Sequence, residues 1–419
     1  MNEEYNILTL PNGVRIITQQ VPAVRSAALG IWVGTGSRHE KKTEGGAAHF
    51  IEHMVFKGTG KRTAAQLAGE MDAIGGQINA YTTKEYTCFY ARSLDEHLEQ
   101  SMDMLYDMVF CSRFDEADVE TERGVILEEI GMYEDNPEDL CSERLMKTIY
   151  QGTPLARPIL GTKTSLGRMT GEWLRGYRNS HYLPGDMVVA LAGSFPDRAV
   201  EELRDRFSGL EGKKNVEPGD VGYHPGITLR KKAIEQNHLT LAFPGLPYSH
   251  EKRFALQVLS SILGGGMSSR LFQQVREKQG LCYSIYSYGA GHRETGVFAV
   301  YTALGKETEA AALETICSVV KEFAEHGPTQ EELDRARELT KSNVLMGLES
   351  TQARMGSLGR STLLQGRSLT ADEILGAYGA VTREEVRELA SQIFDFSRIS
   401  LSAVGRVRDE EGYRKLLGQ

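Results

Sequence analysis

The order of elements along this 419-residue chain repeats once, and that repeat constrains the fold more than any other feature. The first half reads as strands Tyr5 to Leu10 and Val14 to Gln20 around a Pro11-Asn12-Gly13 turn, then a strand Ala27 to Gly34. Helical pattern follows at Glu44 to Lys57 and Ala64 to Ile74, then a strand pair at Gln77 to Thr83 and Tyr86 to Ser93. Amphipathic helices Asp95 to Phe110 and Asp115 to Tyr133, a buried strand Asp186 to Gly193 and a helix Asp197 to Ser208 close it. After the polar, turn-rich run Glu211 to Asp220 the same order starts again. Strand pattern at Ile227 to Phe243 leads to helices Glu251 to Leu263 and Arg270 to Lys278, strands Leu281 to Ser287 and Gly296 to Thr302, and a helix Glu307 to Glu325. The apolar strand Ile399 to Gly405 answers Val188 to Gly193. The chain exceeds the roughly 250 to 300 residues at which a single core stops growing. Two halves of about 210 residues, far longer than a solenoid repeat, imply duplication of one α+β domain. The expected division is 1–212, a linker at 213–226, and 227–419.

Within the first helix, Gly45-Gly46-Ala47-Ala48-His49-Phe50-Ile51-Glu52-His53 places two imidazoles one turn apart on one face. That spacing lets His49 and His53 grip a single zinc ion. Glu52 lies on the same side, where a carboxylate can take a proton from a water at the metal. A catalytic zinc needs a third protein ligand. The candidate segment is Glu120 to Ile130, in which Glu122 and Glu129 share a helix face and Glu128 points about 100° away. Helix geometry leaves the choice among these glutamates open. The counterpart helix of the second half, Phe254 to Ser261, is apolar, so one zinc per chain is expected.

The remaining composition narrows the setting. A formal net charge of −9 without a basic stripe argues against nucleic acid. No apolar run is long enough for a bilayer, and the acidic start Met1 to Asn6 resembles neither a secretion signal nor a transit peptide. Five dispersed cysteines, none in CxxC spacing, indicate no disulfide framework or cysteine zinc site. A reducing cytoplasm is the expected compartment.

The string HFIEH, followed by Val55-Phe56-Lys57-Gly58-Thr59 and later by Glu122-Arg123-Gly124-Val125-Ile126-Leu127-Glu128-Glu129, resembles the pitrilysin-type metallopeptidases. The likeness runs over essentially the whole chain and is nearest the branch holding the catalytic subunit of mitochondrial processing peptidase and its bacterial relatives. It implies two domains, each a mainly antiparallel sheet packed by helices. It further implies Glu129 as third zinc ligand, Glu122 as the support behind the ligands, and Glu128 as a solvated charge.

The resemblance also assigns roles elsewhere. Arg276 and Tyr283, after the Gly264-Gly265-Gly266 run, would reach the active site and hold substrate, the phenol stabilising an oxyanion. Gly75 to Thr82 would be a substrate-binding edge strand, with Asn79 and Ala80 meeting the peptide. Phe56 would line the pocket for the residue after the cut, and Asp139 and Glu143 would read an upstream arginine. Relatives of this architecture enclose peptides in four such domains. A homodimer would supply them here, with Arg276 and Tyr283 serving the partner's zinc. The expected function is therefore a zinc metalloendopeptidase acting on peptides or unfolded segments. Its rivals are a catalytically silent scaffold subunit and a catalytic chain needing a non-identical partner.

Overall fold

Two sheets carry the duplication. The computed structural model describes residues 4–213, 219 and 221–418; of the expected linker, 214–218 and 220 lie outside the described residues. The first sheet contains β1 (Asn6–Thr9), β2 (Arg15–Gln20), β3 (Ser26–Val33), β4 (Gln77–Thr82), β5 (Thr87–Leu94) and β6 (Met187–Gly193), in the spatial order β1-β2-β6-β3-β5-β4. The second contains β7 (Ile227–Lys231), β8 (Gln236–Gly245), β9 (Ser284–Gly291), β10 (Gly296–Gly305) and β11 (Ser400–Gly405), in the order β7-β11-β8-β10-β9. Removing β1 makes the two orders identical. Even the one parallel pair recurs, β2 with β6 and β7 with β11, among otherwise antiparallel neighbours. The α+β class with antiparallel sheets packed by helices is therefore as expected.

Local differences from the sequence reading have simple causes. The metal-motif helix runs only Ala47–Met54, because Gly46 sits at φ +92° and Lys42–Glu44 forms a separate 3₁₀ turn. The strand pattern from Ile227 to Phe243 is two strands, since among the described residues β7 pairs with β11 alone while β8 lies between β11 and β10. Arg270 to Lys278 winds as a π-type turn at Phe272–Glu277.

Packing divides the chain into interleaved units. Unit 1 comprises Met1–Ile130, Arg157–Gly219 and Leu345–Ala371; unit 2 comprises Gly131–Ala156, Asp220–Val344 and Asp372–Gln419. This differs from contiguous halves at 1–212 and 227–419, and burial explains the difference. β3 is buried on both faces: Ala27, Leu29, Ile31 and Val33 enter the main core of unit 1, while Ala28 and Trp32 point the other way. That second face is covered by the helix Thr351–Gln365, whose Met355, Leu358 and Leu363 pack on Ile17, Trp32, Val188 and Ala190. In unit 2 the helix Pro137–Ile149 does the same, setting Leu145 and Ile149 against Ala242, Val297 and Ala299. Each of these helices is third after its half's central hairpin, so the duplicated halves exchange equivalent helices. Among the described residues, no helix is long and apolar enough to cross a membrane.

The helix Thr351–Gln365 approaches β3 through glycine. A Cβ on Gly359 would lie 2.1 Å from Trp32 Nε1, whereas one on Gly356, in the same helix, would meet nothing within 4 Å. Alanine at the two positions should therefore have opposite effects. Gly356→Ala should stabilise by about 0.5–1 kcal/mol through helix propensity, and Gly359→Ala should destabilise by about 1–3 kcal/mol through overpacking. Denaturant midpoints of the two variants, followed by tryptophan fluorescence, check the sign of each.

Candidate metal centre

The helix Ala47–Met54 sorts its side chains by period. Ala47, Phe50, Ile51 and Met54 fall on the buried stripe, which leaves His49, Glu52 and His53 together on the other side. The facing partner is the long helix Glu116–Asp135. Its inward stripe runs Val119, Glu122, Ile126, Glu129, so two carboxylates occupy positions that an ordinary amphipathic helix would give to apolar residues. Glu128 is exposed, as expected of a solvated charge.

The two glutamates meet the imidazoles at different atoms. Glu129 Oε2 stands 3.6 Å from His49 Nε2 and 3.5 Å from His53 Nε2, and one ligand atom from each residue lies within 4.8 Å of the others. Bonds near 2.1 Å in a tetrahedral zinc site set ligand atoms about 3.4 Å apart. These separations are too long for direct hydrogen bonds and fit a cation between the three groups. Glu122 Oε2 instead takes His53 Nδ1 at 3.0 Å. With Nδ1 donating its proton there, Nε2 is left with its lone pair toward the centre. Glu122 is only 4% exposed, and Lys57 Nζ closes on its other oxygen as a counter-ion.

Protonation follows the same arrangement. Burial, with His53 beside it, lowers the His49 pKa and keeps that ring neutral, the form that binds metal. For His53 burial works against the charge, but the contacts with Glu129 and Glu122 outweigh it and raise its pKa, so metal and proton compete for that ring. Glu129 is held below the usual carboxylate range, first by its contact with His53. Glu52 goes the other way: burial raises its carboxyl, while the Thr82 hydroxyl, donating to Oε2 at 2.6 Å, opposes that rise.

The expected peptide-binding residues fall nearby in unit 1. β4 is an edge strand, pairing with β5 in the register Asn79↔Tyr90 and Thr82↔Thr87 and with no other strand among those described. The Ala80 N–H donates to its neighbour's Oδ1, Asn79, at 2.8 Å. Phe56, Leu67, Met71, Ile78 and Met108 line a cavity of about 640 Å³ beside the strand. In unit 2, Arg276 stacks its guanidinium 5.7 Å from the ring centre of Tyr283, which is 72% exposed. Asp139 and Glu143 both lie on the helix Pro137–Ile149, half-buried, with Asn136 Nδ2 donating to Asp139 at 2.5 Å. Sequence reasoning missed Lys57 and Thr82. Lys57 stands four residues beyond His53, and Thr82 shares the β4 face of Ile78 and Ala80; those spacings were the available clues.

The chain is similar to known proteins along most of its length. Residues 15–163 match the insulinase family, peptidase family M16, and residues 168–340 match the peptidase M16 inactive domain. An uncharacterised zinc protease of Bacillus subtilis, YmxG, is 42% identical over 402 residues, covering 95% of this chain and 98% of its own. An uncharacterised zinc protease of Streptomyces coelicolor is 39% identical over 416 residues, covering 97% and 90%. Among solved structures, a protease from Helicobacter pylori superposes with a TM-score of 0.89 at 21% identity, covering 96% of this chain and 99% of that one. A peptidase M16 inactive domain from Pseudomonas fluorescens gives 0.90 at 21%, covering 97% and 98%. At that identity these two likenesses speak for the fold alone.

The contact between Glu122 and His53 has a measurable consequence. Glu122→Gln should weaken zinc binding by about 10- to 100-fold, the usual effect of removing the partner behind a metal-binding histidine. Competition against a chromogenic chelator measures it; unchanged affinity would reduce Glu122 to a packing role.

Proposed function

Because the chain belongs to the insulinase family, peptidase family M16, we propose that it is a zinc-dependent metalloendopeptidase that hydrolyses peptides or unfolded segments. The observation that carries this reading is the convergence of His49, His53 and Glu129 on one point, with Glu52 on the same helix face. In the reading those three residues hold the ion and Glu52 is the general base.

Zinc at that point would supply an acidified water, its pKa lowered from about 15.7 toward 7, and a polarised carbonyl. Glu52 takes the proton as the water attacks and returns it to the leaving amine. Its raised pKa suits both halves of that exchange, and Thr82 holds the carboxylate in place. No covalent intermediate with the chain is required.

The peptide is held as an added strand on β4. The Ala80 N–H, turned to Asn79's side chain in the free chain, is the donor a docking backbone would take over. The cavity against Phe56 and Met71 receives an apolar side chain following the cut. Asp139 and Glu143 favour a basic residue upstream. Two chains form a closed homodimer in the cytoplasm, in which Arg276 and Tyr283 act on the partner's site, the exposed phenol donating to the oxyanion.

Cleavage of a quenched fluorescent arginine-containing peptide, by the purified chain and by Glu52→Gln with zinc quantified in each, tests the core of this reading. Turnover in the first and a drop of about 10²- to 10⁴-fold in the second, with one zinc in both, is the expected result. Zinc without turnover in either would favour a silent scaffold or a missing partner. Arg276 and Tyr283 are tested by mixing Glu52→Gln and Tyr283→Phe chains. Action in trans restores one of two sites in the mixed dimer; no recovery with exchange demonstrated excludes it.

A further inference from the structure

The metal-motif helix is eight residues long, and a helix of two turns does not hold itself in water. Its direction must come from whatever grips its ends and its back. The back is apolar and buried at Phe50, Ile51 and Met54. The front has no ordinary cap: the N-cap residue is Gly46, which carries no side chain to accept from the first-turn N–H groups.

Glu40 does so from outside the helix. Its Oε2 accepts from the Gly46 N–H at 2.8 Å and its Oε1 from the Ala48 N–H at 2.9 Å. The residue is 1% exposed. Its backbone is anchored in turn, because Arg157 Nη1 donates to the carbonyls of both Arg38 and Glu40. Burial raises the Glu40 carboxyl to about 7, opposed by those two N–H groups. A buried carboxylate is a costly choice for a task an exposed serine or threonine cap performs elsewhere. What this one adds is a rigid, two-point hold on the peptide units directly before His49, with negative charge at the positive end of the helix dipole.

Resting on the zinc reading above, we infer that Glu40 is a positioning residue of the metal centre, fixing the pitch of the helix so that His49 and His53 meet one ion. Metal ligands tolerate displacements of only about 0.5 Å, so loosening this hold should appear first in the metal geometry.

The test uses the full chain at pH 8, with zinc affinity from chelator competition and the visible spectrum of the cobalt(II)-loaded protein. Glu40→Gln keeps the shape but turns an amide NH₂ toward a backbone N–H. It should fold, bind zinc about tenfold more weakly or worse, and show altered cobalt bands. Glu40→Asp keeps the charge but spans one N–H only; it should show a smaller loss in the same direction and carries the comparison if Glu40→Gln does not fold. Glu309→Gln is the control, another 1%-exposed carboxylate, held by Asn237, Arg408 and Tyr413 in unit 2. With a matched fall in Tm it should leave zinc affinity and the cobalt spectrum unchanged. Parental affinity and bands in the Glu40 variants would overturn the inference, as would an equal loss in the control. A parent chain that binds no zinc would overturn the metal reading itself and this inference with it.

Discussion

Burying Glu122 is the constraint on which the site depends. A carboxylate at 4% exposure is costly to bury unless donors meet it, and Lys57 and His53 Nδ1 do so. Both belong to the metal-motif helix or the turn that leaves it. Meeting Glu122 therefore locks that segment against the long helix Glu116–Asp135 and fixes which ring nitrogen of His53 faces the centre. Glu129 follows without further specification, because seven residues along a helix return to the same face. Cutting the Glu122 contacts would leave a buried charge unpaired and the ring free to turn.

The exchanged helices answer a different demand. A sheet whose strands are apolar on both faces needs two covers, and each half's own core helices cover one. Thr351–Gln365 and Pro137–Ile149 supply the second covers. Function is drawn into that arrangement: Gln352, at the start of Thr351–Gln365, lines the cavity beside β4. A segment more than two hundred residues away in the sequence thus shapes the candidate peptide site.

Much of this was legible in the sequence, because periodicity reports which faces are buried. The repeat of element types matched the repeat of sheet orders, and the i, i+4 histidines stood where the pattern placed them. Helix geometry also separated Glu128 from its neighbours. It could not separate Glu122 from Glu129, since both lie on the inward stripe and differ only in which imidazole nitrogen they reach, a matter of three dimensions. The helix exchange was hidden for a related reason: an apolar stripe with Met355 and Leu358 says that a helix is buried and nothing about which sheet buries it. Glu40, Lys57 and Thr82 are single polar residues in unremarkable surroundings; their importance arises from what packs against them.

β4 joins these elements into one device. Its inward side chains at Ile78, Ala80 and Thr82 share one face, so the strand that lines the cavity at one end holds Glu52 at the other. A peptide added to the free edge would lie about 4.8 Å from β4, in a register set by backbone hydrogen bonds. In the proposed reading that register places a peptide bond relative to Glu52. Main-chain pairing alone accepts almost any sequence, and every one-residue slip along the edge would turn the side chains to the opposite face. In the same reading, selection among registers would come from the side chain seated in the cavity, because only the register that buries it would also bring the bond to Glu52. In that reading a long apolar residue after the cut does more than add affinity: it would choose where the chain is cut.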